Sequence, residues 1–241
     1  MVVSCRRRGL CVPSVLVWRV AVIDSGLACD TQLPVVAQRR FKDRAATVSS
    51  EAGTPDVSGH GTAVAQVIHS QIARAGLAVR WELLIGQVIG PERRTTAATV
   101  AAAIEWAIGE RANLIHISLG LRDDRRVLAD AVAGAIRGGC LLVGSTPARG
   151  EVSYPARYPG VVRATGDARC EEDELAFLHS AQADFGACPR HAGVAAAGAS
   201  IGAAHVTGII VARCSPGLDV ASVRQQLAGL AKYRGAERRT A

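Results

Sequence analysis

The chain has 241 residues, of which 49% are hydrophobic and 20% charged, a globular balance that excludes a disordered or collagen-like polypeptide. Aromatic residues are only 4%, so a core has to be built from Ala, Val, Leu and Ile. Arg19, Arg80, Glu105, Arg137 and Arg213 interrupt the apolar stretches before any reaches the roughly 20 residues of a membrane helix, and no membrane partner is expected. The formal charge of +7 is dispersed over Arg6–Arg8, Arg39-Arg40, Arg93-Arg94, Arg125-Arg126 and Arg238-Arg239, with no aromatic ladder between them. That dispersion argues against nucleic acid, while the positive surface favours encounter with an acidic peptide.

From the N-terminus, Arg6–Arg8 and the apolar residues after them faintly resemble a secretory signal. No small-residue cleavage site follows, and the stretch runs on into a strand, so no export signal is read. Val15–Ile23 is a β-branched run that ends at Asp24-Ser25-Gly26. After it, apolar runs at 80–89, 114–117 and 140–143 read as strands. Val100, Ile104, Ala107 and Ile108, then Leu128, Val132, Ala135 and Ile136, recur at helical spacing between them. Gly138-Gly139 supplies a stop before the next strand. Val161-Val162 and 175–178 are short strand candidates, Ser200–Ala212 reads as a buried helix, and Asp219 as the N-cap of a last amphipathic one carrying Val223, Leu227 and Leu230. Strands alternating with helices predict an α/β fold on a mostly parallel sheet. The organisation expected is one domain over 14–232, with flexible tails at 1–13 and 233–241.

Seven cysteines, an odd number at irregular spacing, read as reduced thiols of a cytoplasmic protein. Cys170, Cys188 and His191 can be sketched as three metal ligands, but no second close pair completes a zinc site. The acidic run Glu171–Glu174 is a short solvated turn rather than a calcium loop. Neither metal nor other cofactor is expected, and the sequence carries no sign of an oligomeric state.

Three residues stand where open α/β sheets place their chemistry. Asp24 follows the first strand, His60 sits in Ser58-Gly59-His60-Gly61-Thr62, and Ser200 sits in Gly198-Ala199-Ser200 before the apolar helix. Singly, each has an ordinary explanation as turn former, loop histidine or helix cap. Together, a carboxylate that orients an imidazole and an imidazole that takes a serine proton form a nucleophilic catalyst.

Around them, Val20–Gly26, Gly59–Ala65 and Gly198–Gly208 resemble the three signature blocks of the subtilisin-like serine proteases, in the same chain order. Ile115–Gly120 is similar to the family's substrate-binding strand, and Tyr154–Val162 to the segment after its oxyanion region. The resemblance spans roughly residues 17 to 213 and implies a three-layer α/β/α fold. It further implies Ser200 as nucleophile, His60 as base, Asp24 as its orienting acid, the Ser200 backbone N–H as an oxyanion donor, and Ser118, Leu119 and Gly120 as the edge that binds a peptide or protein substrate. The backbone amides at the start of the Ser200 helix favour the negative charge that develops there.

The departures are specific. The family's second oxyanion donor is an Asn, and none occurs in Leu142–Pro147; Ser145, or alternatively Thr146, is the expected hydroxyl substitute. Losing one such donor in subtilisin costs on the order of 10²–10³ in turnover. Ala199 stands where Thr is usual and Ala204 where Pro is usual. His116, at a position commonly Asn, and His205, the histidine after the nucleophile, are read as buried structural residues. With 23 residues before Asp24, no propeptide is expected, and limited processing of a dedicated substrate suits the chain better than general digestion. The alternative is an inactive relative serving as a peptide-binding scaffold.

Overall fold

The computed structural model describes residues 17–44 and 47–237; the expected N-terminal tail lies outside them. Ten strands among these residues form one sheet: β1 (Trp18–Asp24), β2 (Val35–Arg44), β3 (Thr47–Ala52), β4 (Trp81–Gln87), β5 (Leu114–Ile117), β6 (Leu141–Ser145), β7 (Val161–Gly166), β8 (Leu175–Phe177), β9 (Phe185–Ala187) and β10 (Tyr233–Arg234). Among the described residues five helices accompany them: α1 (His60–Arg74), α2 (Ala97–Gly109), α3 (Arg126–Arg137), α4 (Ala199–Arg213) and α5 (Val220–Leu230). The strand order is β10-β8-β9-β7-β6-β5-β1-β4-β2-β3. Pairing is parallel except for β2 with β3 and β8 with β9.

Alternation along each strand assigns its side chains to two layers. Val20, Val22, Leu83, Ile85, Leu114 and Val143 pack with α1, α4 and α5 on one face. Ala21, Ile23, Leu84, Ile115, Ile117 and Leu142 pack with α2 and α3 on the other. The result is the expected three-layer α/β/α arrangement. No helix among the described residues is long and apolar enough to cross a membrane.

Two differences from the sequence reading concern the sheet edges. The β2–β3 hairpin was not anticipated, because β2, one strand in from the edge strand β3, carries Arg39, Arg40 and Lys42 in place of an apolar run. Tyr233-Arg234, expected in a flexible tail, pairs instead with β8. There Lys232 Nζ binds Glu174, and the Lys232 N–H donates to the Leu175 carbonyl at 2.8 Å.

Strand order reverses at β1, with β4 on one side and β5 on the other. The carboxyl ends of β1, β5 and β6 and the first turns of α1 and α4 therefore meet around that switch point, the usual place for a site in an open α/β sheet. Two glycines permit this approach. A Cβ on Gly61, in the first turn of α1, would lie 2.4 Å from the Gly26 carbonyl oxygen; one on Gly202, in the first turn of α4, would lie 2.3 Å from the Thr165 carbonyl oxygen.

Candidate active site

Asp24 ends β1 with its side chain buried. Both carboxylate oxygens lie 2.9 Å from His60 Nδ1. The Ser25 backbone N–H donates to Oδ1 at 2.6 Å, and the Ser118 hydroxyl donates to Oδ2. Burial alone would raise the carboxyl pKa. The hydrogen bond and charge of His60, with the bonds from Ser118 and Ser25, outweigh it and hold the group below its ordinary 3.8. Reciprocally, the hydrogen bond that His60 donates to Asp24 raises the His60 pKa above 6.5 against the opposing effect of burial, and the charges of Asp24 and Asp56 add to it.

His60 is the first residue of α1, and its placement depends on a loop that sequence reasoning passed over. Asp56 accepts from the backbone N–H groups of Ser58 and Gly59 at 3.0 and 2.9 Å, and from the Thr62 N–H and hydroxyl at 2.9 and 2.8 Å. It thereby does the capping work that Gly59, at φ 74°, has no side chain to do. Ser25 adds a second tie, its hydroxyl accepting from the Ser58 hydroxyl at 2.8 Å and from the Gly61 N–H at 2.9 Å. The signal was present in Asp56-Val57-Ser58-Gly59, a sequence suited to an Asx turn.

Ser200 sits in the first turn of α4, where backbone N–H groups have no intrahelical partner. Its hydroxyl donates to the Ser118 carbonyl at 3.1 Å. Ser118 thus joins the two halves of the site: its side chain binds Asp24 and its carbonyl holds Ser200. The sequence had assigned it only main-chain contacts with a substrate. Leu119 is half-buried and Gly120 exposed, while Leu121 bridges to Tyr154 on the far side. The Leu119-Gly120 backbone forms a rim beside that bridge, with the Ser153 side chain against the Gly120 α-carbon.

Of the two expected hydroxyl donors, Ser145 is the buried last residue of β6. Thr146 is fully buried; its N–H donates to the Ala164 carbonyl at 2.9 Å, and its hydroxyl accepts from the Gln182 amide at 3.3 Å. The open cavity beside the Ser200 helix is lined by Pro147 and Ala148 rather than by either hydroxyl residue. His116 Nδ1 pairs with the Thr207 hydroxyl at 2.8 Å, and His205 bonds Gln71 and the Arg190 carbonyl. Burial depresses both histidine pKa values to about 4, which leaves them neutral near pH 7.

Most of the chain is similar to known proteins. The subtilase family profile matches residues 18–231. A thermostable alkaline protease of Halalkalibacterium halodurans is 37% identical over 149 residues, covering 60% of this chain and 40% of that protein. Subtilisin DY of Bacillus licheniformis is 27% identical over 238 residues, 90% of this chain and 84% of that protein. The chain spans about half or less of the length of the first two curated relatives it matches. Among solved structures, the protease domain of PatA superposes with a TM-score of 0.59 at 20% identity, covering 86% of this chain and 85% of that one.

Proposed function

This chain belongs to the subtilase family, and on that premise we propose that it is a serine endopeptidase acting through Ser200, His60 and Asp24. The observation that carries the reading is the buried Asp24 bonded to His60 Nδ1 at 2.9 Å, with Ser118 bonded to both Asp24 and Ser200. His60 presents its other ring nitrogen as the base. When a peptide docks, the Ser200 hydroxyl turns from the Ser118 carbonyl and gives its proton to His60 Nε2 as Oγ bonds the carbonyl carbon. The carbonyl π pair moves onto oxygen, and Asp24 stabilises the imidazolium so formed. Collapse of the tetrahedral adduct re-forms the carbonyl and breaks the C–N bond; the departing amine takes the proton from His60, leaving an acyl group on Ser200. Water, deprotonated by His60, then adds to the ester carbonyl, and Ser200 leaves with the proton returned.

The rim at Leu119-Gly120 supports binding of the substrate as an added strand, with main-chain bonds fixing its direction and pockets choosing its side chains. The charge of +7 supports an acidic preference, limited processing remains part of the proposal, and five described cysteines with free thiols support a reducing compartment.

Labelling with a fluorophosphonate probe tests the reading. The native protein is expected to form an adduct that Ser200→Ala abolishes, together with Ser200-dependent cleavage of members of a diverse peptide library. Folded protein that forms no such adduct and cleaves nothing would be a peptide-binding scaffold instead. The acidic preference predicts faster cleavage of acidic peptides, diminishing as salt is raised; rates indifferent to both remove it.

A further inference from the structure

Against the start of α4 lies an open cavity of about 590 Å³, with Pro147, Ala148, Thr165, Gln182, Gly198 and Ala199 among its walls. Gly198 and Ala199 immediately precede Ser200, so the cavity adjoins the backbone where the Ser200 N–H begins the helix. Ala148 and Ala199 contribute only methyl groups to it. Its polar wall also includes the carboxylates of Glu237 and of Asp167, the latter paired with Arg169 at 2.7 Å, and two neutral groups bear on the chemistry beside Ser200. Thr165 is buried, yet its hydroxyl has no hydrogen-bond partner, so the polar capacity of the wall is not used up within the chain. Gln182, on the loop between β8 and β9, reaches across and donates its amide to the Thr146 hydroxyl at 3.3 Å and to the Pro147 carbonyl. Ser180, also on the wall, spends its hydroxyl on the Ala183 carbonyl, and Arg149 stands on an exposed stretch of chain.

We infer that the Gln182 carboxamide is the second oxyanion donor: a catalytic amide supplied by the β8–β9 loop in place of the Asn that this chain lacks at the end of β6. The inference rests on the protease reading above. Physically, the short bond to Pro147 anchors the group, while the N–H on the 3.3 Å bond lies beyond the usual N–H···O range and is loosely held. Exchanging the neutral Thr146 acceptor for a substrate oxygen that has become negative gives a charge-assisted bond roughly twice as strong as a neutral one. The gain arises when the charge forms, so the exchange accelerates the chemical step more than it improves substrate binding.

The test is steady-state kinetics on a peptide whose cleavage requires Ser200. Gln182→Met keeps the length of the side chain and removes its donors; Gln182→Glu keeps the shape and opposes the developing charge. Both are expected to lower kcat by about 10²–10³-fold while KM changes by less than about threefold. Affinity for a peptide aldehyde, whose adduct with Ser200 carries the same oxygen, is expected to fall by a similar factor. The melting temperature separates this from a folding defect: the kcat loss should appear in protein that melts as the native chain does. The inference is overturned if Gln182→Met retains native kcat, if the loss falls on KM alone, or if Arg149→Met or Ser145→Ala reproduces the kcat loss while Gln182→Met does not. A native chain without Ser200-dependent cleavage defeats the protease reading itself. Intact Ser200-dependent cleavage that ignores Gln182 defeats only this step.

Discussion

Asp24 and His60 occupy a part of the molecule in which the polar groups hold one another: the carboxylate takes bonds from Ser25, His60 and Ser118, and Asp56 and Ser25 pin the loop and first turn that carry the imidazole. Ser200 lies across from them in a looser setting. Its helix begins without a side-chain cap after Gly198, its neighbour is Ala199, its hydroxyl rests on a carbonyl, and an open cavity adjoins it. In the proposed reaction the base has to be oriented before substrate arrives, with its charge supported by the buried Asp24, while the nucleophile and the oxygen it creates gain their partners only once a carbonyl is present. On that proposal the first half is wired in advance, and the second is completed by the substrate.

The largest expected effects break the comparison outright. Ser200→Ala or His60→Ala should each lower kcat by about 10⁶-fold, and the double variant should lose little more, because the residues act as a unit; peptide cleavage by the single and double variants measures this. Asp24→Asn should cost about 10⁴-fold. It should also shift the acid limb of kcat/KM. The base works only when neutral, so activity falls as pH drops through the His60 pKa, which Asp24 holds above 6.5. Without that carboxylate the inflection moves to lower pH, and a pH–rate profile of both proteins shows it.

Smaller changes sharpen the contrast. Ser118→Ala removes one bond to a buried carboxylate, a change of about 1.5 kcal/mol or roughly tenfold in kcat, with its carbonyl still available to Ser200. Gly202→Ala brings a methyl to 2.3 Å from the Thr165 carbonyl oxygen; overpacking of this kind costs about 1–3 kcal/mol. For a domain of this size the melting temperature falls by about 2–4 °C per kcal/mol, and the displaced helix should lower kcat as well. Thr96→Ala removes the N-cap of α2, where the Thr96 hydroxyl accepts from the Thr99 N–H, together with that hydroxyl's exposed bond to Asp43. It should cost about 1 kcal/mol by thermal melting with no change in kcat.

The parts of the fold that were legible in the sequence are those buried on both faces. β1, β5 and α4 appear as nearly continuous apolar runs, and the Asp219 cap of α5 is present as read, accepting from the Ser222 N–H at 2.7 Å. The β2–β3 hairpin was illegible for the opposite reason: β2, paired on both sides, carries Arg39, Arg40 and Lys42, whose charges hide its half-buried character. At the site, Asp24, His60 and Ser200 stand at the ends of legible elements, so order and local motif nominated them as candidates. Gln182 lies in a loop without periodicity and meets Thr146 across 36 residues of chain, and no local pattern encodes such a contact. The second bond of Ser118 was hidden similarly, because it depends on β5 lying beside β1.

Under the proposed function, the rim at Leu119-Gly120 sets a demand on the substrate. A backbone can lie along it only if several consecutive residues are drawn out straight and stripped of their own pairing. Compact proteins meet that demand where a surface loop unravels, so the susceptibility of a target should track the ease of its local opening more closely than its amino-acid content.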